Sequence, residues 1–183
     1  MPPEADTQRG VPPYRWTCAI ASRHDSGPMG TQHETPDGGY EIDDDPARMD
    51  IEAIHGYLVT AYWSVGVPRD VVARAVANSY CVGAFDGDGN QVGLVRVVTD
   101  HATFAYLCDV YVLEAHRGRG LSKRMVAHAM ARPDVGSLRR LMLITENAHG
   151  LYERFGFRRA ATPERVMEIR RADAYVRNGG GLH

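Results

Sequence analysis

The chain has 183 residues, with 21 lysines and arginines against 23 aspartates and glutamates, a net charge of -2. At 44% hydrophobic and 24% charged, it has the size and make-up of one domain that buries a core without staples, and it lacks the overall basic field of a nucleic-acid binder. No apolar run reaches the ~18–20 residues a bilayer crossing needs, and the opening Met-Pro-Pro-Glu-Ala-Asp carries neither part of a secretory leader. A cytoplasmic protein with no membrane or nucleic-acid partner is expected. Cys18, Cys81 and Cys108 are odd in number and scattered, which fits reduced thiols.

Glycine and proline crowd residues 1–39, where no apolar period is sustained, so a flexible amino-terminal arm is expected there. Residues 172–183, ending in Gly179-Gly180-Gly181, read as a tail, and 40–171 as the folded domain. A strand is expected from Tyr40. Ile51, Ile54, His55, Leu58, Val59 and Tyr62 then define one helical face, and Pro68 opens a second helix carrying Val71, Val72, Ala75 and Val76. Tyr80–Phe85 and Val92–Val98 flank the turn Asp86-Gly-Asp-Gly-Asn and predict a hairpin. That turn fails as a calcium loop, because Gln91 stands where the loop needs glycine and Val97 where it needs glutamate.

A third strand is predicted over 102–113, with Tyr106, Cys108, Val110 and Val112 on one face and Leu107, Asp109 and Tyr111 on the other. A helix over 120–131 follows, stopped by Pro133. Leu138–Ile144 reads as a strand, Ala148–Phe155 as a short helix and Arg165–Arg170 as a last strand. The order predicts a mixed α/β (α+β) fold whose sheet is antiparallel in its first half.

The chemistry concentrates after the third strand. Arg117-Gly118-Arg119-Gly120-Leu121-Ser122-Lys123 is a strand-to-helix loop whose glycines free backbone N–H groups to cradle a phosphate at a positive helix end. The spacing of a P-loop is absent, and a dinucleotide fingerprint would need glycine where Lys123 stands. The acetyl-CoA loop pattern R-x-x-G-x-[GA] is matched by Arg117, Gly120 and, in place of its small last residue, Ser122. Some thirty residues on stands Ala148-His-Gly-Leu-Tyr152-Glu-Arg-Phe-Gly156-Phe157, and Leu107-x-x-Val110-x-Val112 precedes the loop.

Together these segments resemble the GCN5-related N-acetyltransferase (GNAT) family over about residues 40–170. The resemblance implies a mixed sheet with splayed middle strands and about four helices. It implies acetyl-CoA as cosubstrate, held by Arg117, Gly118, Arg119, Gly120, Leu121 and Ser122, with the pantetheine arm along Val110, Tyr111 and Val112. The implied reaction is direct N-acetylation of a small-molecule or peptide amine, with Tyr152 as the acid that protonates the departing thiolate. The asparagine often found seven residues before that tyrosine is Thr145 here, and Asn147 is its candidate replacement.

An alkylamine of pKa near ~10 must lose a proton before attack. Asp109, a carboxylate among apolar strand residues, is the best base; Glu146 and His149 are alternatives. The first helix pair would wall the acceptor cleft with Tyr62, Trp63 and Asp70, opposite Tyr111. No histidine spacing argues a metal site, and a homodimer stays open. The rival reading is a non-catalytic acetyl-CoA sensor or partner-docking module.

Overall fold

The computed structural model describes residues 38–171 together with Ala174 and Tyr175. Of the expected arm only Gly38 and Gly39 lie within these bounds, and the rest of the arm and of the tail lies outside the described residues.

Five strands form one sheet in chain order: β1 Glu41–Asp43, β2 Tyr80–Phe85, β3 Gln91–Thr99, β4 Phe104–Val112 and β5 Arg140–Met142. The first four are antiparallel, and β5 joins β4 in parallel. A parallel neighbour needs a crossover, which is supplied by α3 (Leu121–Ala131) and the four-residue α4 (Pro133–Gly136). Two helices precede the hairpin, α1 (Ile51–Leu58) and α2 (Arg69–Ala77), and α5 (His149–Tyr152) follows β5.

Every residue of β2 is buried because helices cover both sheet faces. On one face α3 buries Leu121, Met125, Val126 and Ala129 against Val82, Ala84, Val95, Val97 and Leu107. Full burial of a side chain the size of Met125 contributes about 1.5–3 kcal/mol. Gly93 permits the close approach, since a Cβ there would stand 2.9 Å from Met125 Cε and 3.0 Å from the Tyr111 carbonyl oxygen. On the other face α1 and α2 bury Ile54, Leu58 and Val72 against Cys81, Phe85, Leu94 and Tyr111. Asp50 starts α1 by accepting the N–H bonds of Glu52 and Ala53.

Four expectations are corrected. The first helix stops at Leu58, not beyond Tyr62: Ser64 Oγ donates to Leu58 O at 2.7 Å, Gly66 N–H to Val59 O at 2.9 Å, and Tyr62 is 59% exposed. The strict alternation of β4 fails at Asp109, where a bulge returns Val110 and Val112 to the face of Ala105 and Leu107 while Tyr111 turns to the α1–α2 side. The strand expected at 165–170 is not formed among the described residues; Pro163–Arg165 is a 3-10 turn, and Met167 and Ile169 stand 94% and 82% exposed. The fifth strand is also shorter than Leu138–Ile144, ending at Met142.

Candidate active site

β4 and β5 pair only at Phe104↔Arg140, Ala105↔Leu141 and Tyr106↔Met142. From Leu107 onward the β5-facing edge of β4 has no ladder partner among the described residues, so β4 and β5, the last two strands of the described sheet, part beside Asp109–Val112, where a splay was expected. The gap leaves backbone N–H and C=O groups of β4 open to a ligand that supplies the missing ladder.

Asp109 stands at the apex. Leu94 pairs with Tyr111 and Arg96 with Cys108, so two β4 residues, Asp109 and Val110, oppose Val95 alone. Asp109 takes φ 50, a left-handed conformation that aspartate tolerates better than most side chains. Its side chain is 11% exposed and both oxygens are engaged. Oδ2 accepts from Arg96 Nε at 2.7 Å, and Oδ1 from the Trp63 indole Nε1–H at 3.1 Å. Arg96 also donates to Ser79 Oγ at 3.1 Å. Burial works against the Arg96 charge, yet the Asp109 carboxylate and the nearby Cys108 and Cys81 more than offset it, and its pKa moves up.

Sequence reading missed Arg96. The signal was there: an arginine inside the apolar run Val92-Gly-Leu-Val-Arg96-Val-Val, one hairpin strand away from a carboxylate in an equally apolar run.

Tyr152 is buried and meets Phe157 edge-on at 6.0 Å between ring centroids. Burial pushes its phenol up to about 12, with Tyr62 and Cys108 near enough to add to the shift. The hydroxyl therefore carries its proton at neutral pH. Cys108 is half-buried, and burial likewise pushes its thiol up to about 12, against the opposing pull of Arg96. A protonated thiol is a poor nucleophile, so Cys108 is unsuited to carry an acyl group at neutral pH.

The loop after β4 has the expected backbone. Gly118 and Gly120 take φ 78 and 75, and a Cβ at either would meet nothing within 4 Å. The concavity is thus open, and no side chain caps α3. Among the described residues the amides of Gly118, Arg119 and Gly120 find no backbone acceptor. Unpaired amides converging at a helix N-terminus are chemically suited to an anion.

The side chains of the loop are placed less uniformly than expected. Arg117 turns back, its Nε donating to Val112 O at 3.0 Å. Leu121 is buried in the core, so only its amide faces the concavity's end of the helix. Arg119 lies 5.5 Å over the Tyr40 ring, and the Tyr40 hydroxyl is 2.8 Å from His116 Nδ1. Ser122 is half-buried.

At the far strand, Thr145 Oγ1 accepts from Ala148 N–H at 3.1 Å, while Asn147, Glu146 and His149 are exposed. The acceptor wall divides. Trp63 reaches Asp109, and Tyr111, only 4% exposed, stacks on Tyr57 with centroids 3.8 Å apart. Asp70 is spent on an exposed ion pair with Arg74. Among the described residues no helix is long and apolar enough to cross a membrane.

The sequence and the fold both have counterparts among known proteins. The family model of the GNAT acetyltransferase domain matches residues 77–159, from the end of α2 through the Tyr152 motif. A solved structure from Xanthomonas campestris pv. campestris, assigned to the GNAT family as an acetyltransferase, is 42% identical with a TM-score of 0.73, covering 76% of this chain and 99% of that one. A Gibberella zeae protein assigned as an acetyltransferase is 33% identical over 135 residues, 63% of this chain and 76% of the relative. Glucosamine-6-phosphate N-acetyltransferase from Arabidopsis thaliana, at 15% identity and a TM-score of 0.54 over 74% of this chain and 100% of that one, shares the fold.

Proposed function

Because the chain belongs to the GNAT acetyltransferase family, we propose that it transfers the acetyl group of acetyl-CoA directly to a primary amine of a small molecule or peptide. The observation that carries the reading is the parting of β4 and β5 beside Asp109–Val112, followed in the chain by the open turn at Gly118 and Gly120 and then by the buried phenol of Tyr152.

When bound, acetyl-CoA supplies an acetyl thioester. The amides of Gly118, Arg119, Gly120, Leu121 and Ser122 hold its pyrophosphate, with Arg119 adding charge at the rim. Arg117 contributes by bracing Val112 rather than by touching phosphate. The open edge of Val110, Tyr111 and Val112 offers ladder partners to an extended amide-bearing arm and orients the carbonyl. Asn147, exposed at the mouth of β5, contributes at the periphery of that arm.

The acceptor nitrogen loses one proton to Asp109 Oδ1, directly or through a water, while Arg96 keeps Oδ2 and so holds the carboxylate's orientation. The new N–C bond forms as the C–S bond breaks, the Tyr152 hydroxyl gives its proton to the sulfur, and the second proton of the acceptor nitrogen, shed as the amide forms, returns through solvent to the tyrosinate. A proton donor in the gap favours turnover over a purely sensing role, which would have no use for one.

The test is calorimetry with acetyl-CoA followed by thiol release over a panel of amines. Saturable binding and amine-dependent thiol release are expected; absence of binding overturns the reading. Tyr152→Phe should bind acetyl-CoA normally and turn over about a hundredfold more slowly. Unchanged turnover would remove Tyr152 from the chemistry.

A further inference from the structure

The connection between α1 and α2 is more ordered than a linker needs to be. Besides the Ser64 and Gly66 bonds that end α1, Val67 N–H donates to Ser64 O at 3.0 Å, and His55 Nε2 stands 3.1 Å from Val67 O. Ala61 and Val67 are buried beneath it. Yet the same loop holds Tyr62, Trp63 and Val65 outward at 59%, 39% and 61% exposure. Large apolar side chains fixed in water by an ordered backbone mark a binding surface more often than a packing defect.

The aromatic rings are also connected. Tyr62 meets Trp63 edge-on at 4.9 Å, Trp63 lies 6.2 Å from Tyr57, and Tyr57 stacks on Tyr111 of β4. The aromatic surface thus runs from solvent down to the strand that borders the gap. Its two outermost members each approach one of the two groups that handle protons in the proposed reaction. Trp63 donates to Asp109 Oδ1, and Tyr62 is near enough to Tyr152 to add to the rise in its pKa.

The two oxygens of Asp109 are held differently. Oδ2 is held by a half-buried cation, whereas Oδ1 is held by a neutral N–H on a side chain that is more than a third exposed. Both bonds have an ionised acceptor, but a cationic donor adds a charge–charge attraction that the neutral indole lacks. A primary ammonium arriving over the aromatic surface can therefore replace the indole N–H on Oδ1, and the indole's loss is small because water is at hand.

Resting on the acetyltransferase reading, we propose that the Tyr62–Trp63 pair is the acceptor-selecting element, that it takes a primary ammonium borne on an apolar body, and that the ammonium displaces the Trp63 N–H from Asp109. A phosphorylated amine is disfavoured, because the arginines of this wall, Arg69 and Arg74, are already paired with Glu52 and Asp70.

The experiment measures amine binding by calorimetry without acetyl-CoA, and then kcat and KM, for benzylamine, ethanolamine and glucosamine 6-phosphate. Benzylamine should bind at least about tenfold more tightly than the other two. Trp63→Ala should raise its KM about tenfold with kcat within about threefold, through loss of the aromatic wall. Trp63→Phe, which keeps a ring but has no N–H to displace, should bind benzylamine at least as tightly as the wild type. An unchanged benzylamine KM in Trp63→Ala, or equal affinity for glucosamine 6-phosphate, overturns the proposal. Weaker benzylamine binding in Trp63→Phe overturns the displacement. Because the binding measurement needs no acetyl-CoA, benzylamine binding without acetyl-CoA binding would overturn the enzymatic reading, and with it the acceptor role, and leave Tyr62–Trp63 as an amine-binding surface alone.

Discussion

A charged side chain inside an apolar strand persists where its opposite lies beside it, because desolvation of an isolated charge costs more than packing returns. Arg96 and Asp109 satisfy that condition across the β3–β4 ladder, with side chains 17% and 11% exposed. Removing one partner strands the other, so Arg96→Ala should lose about 3–5 kcal/mol in chemical denaturation. The uncharged pair Arg96→Leu with Asp109→Asn, which keeps a side chain that tolerates the left-handed φ of 50, should recover much of that stability and still fail to turn over, which separates the structural role from the proposed proton-accepting one. Recovery of activity in the double variant would exclude Asp109 as the base. Half of this pair was legible in the sequence, where Asp109 stood out as a carboxylate needing a task. Arg96 was not drawn to it because the pairing runs through a bulge, and strand alternation carries no mark of where an extra residue is inserted.

At the scale of elements, the sequence was most readable where backbone conformation depends on residue type. Gly118 and Gly120 announced a loop that only left-handed residues can trace, and the observed φ values of 78 and 75 agree. Gly120→Ala should therefore cost about 1–2 kcal/mol from the left-handed conformation alone. Its methyl group would also project into the open concavity, so the KM for acetyl-CoA should rise several-fold while kcat changes little. A variant with unaltered KM would place the pyrophosphate elsewhere. The ends of α1 and of the carboxy-terminal strand were less readable for a shared reason. Apolar spacing continued through Tyr62 and through Val166, Met167 and Ile169, but spacing reports a face, not whether anything covers it. At Tyr62 the exposed continuation is where the acceptor surface is proposed.

For the whole molecule, the sheet between two helical layers buries ionisable groups whose neutral forms the core favours. Burial pushes the thiols of Cys81 and Cys108 and the phenol of Tyr152 each up to about 12, and raises Tyr111 as well. The ordinary values are 9.0 for the thiols and 10.0 for the phenols. For a raised pKa, the stabilisation is complete below the unfolded value and is lost as pH climbs through the folded one, because the unfolded chain releases its proton first. Stability should thus hold up to about pH 9 and fall steadily from there toward about pH 12. Thermal unfolding across that range checks the window. Cys81→Val, which keeps a small apolar side chain at a site only 6% exposed, removes one titrating group and should make the alkaline decline shallower without altering stability at neutral pH by more than about 1 kcal/mol. Equal slopes for wild type and variant would mean that the alkaline loss does not arise at Cys81.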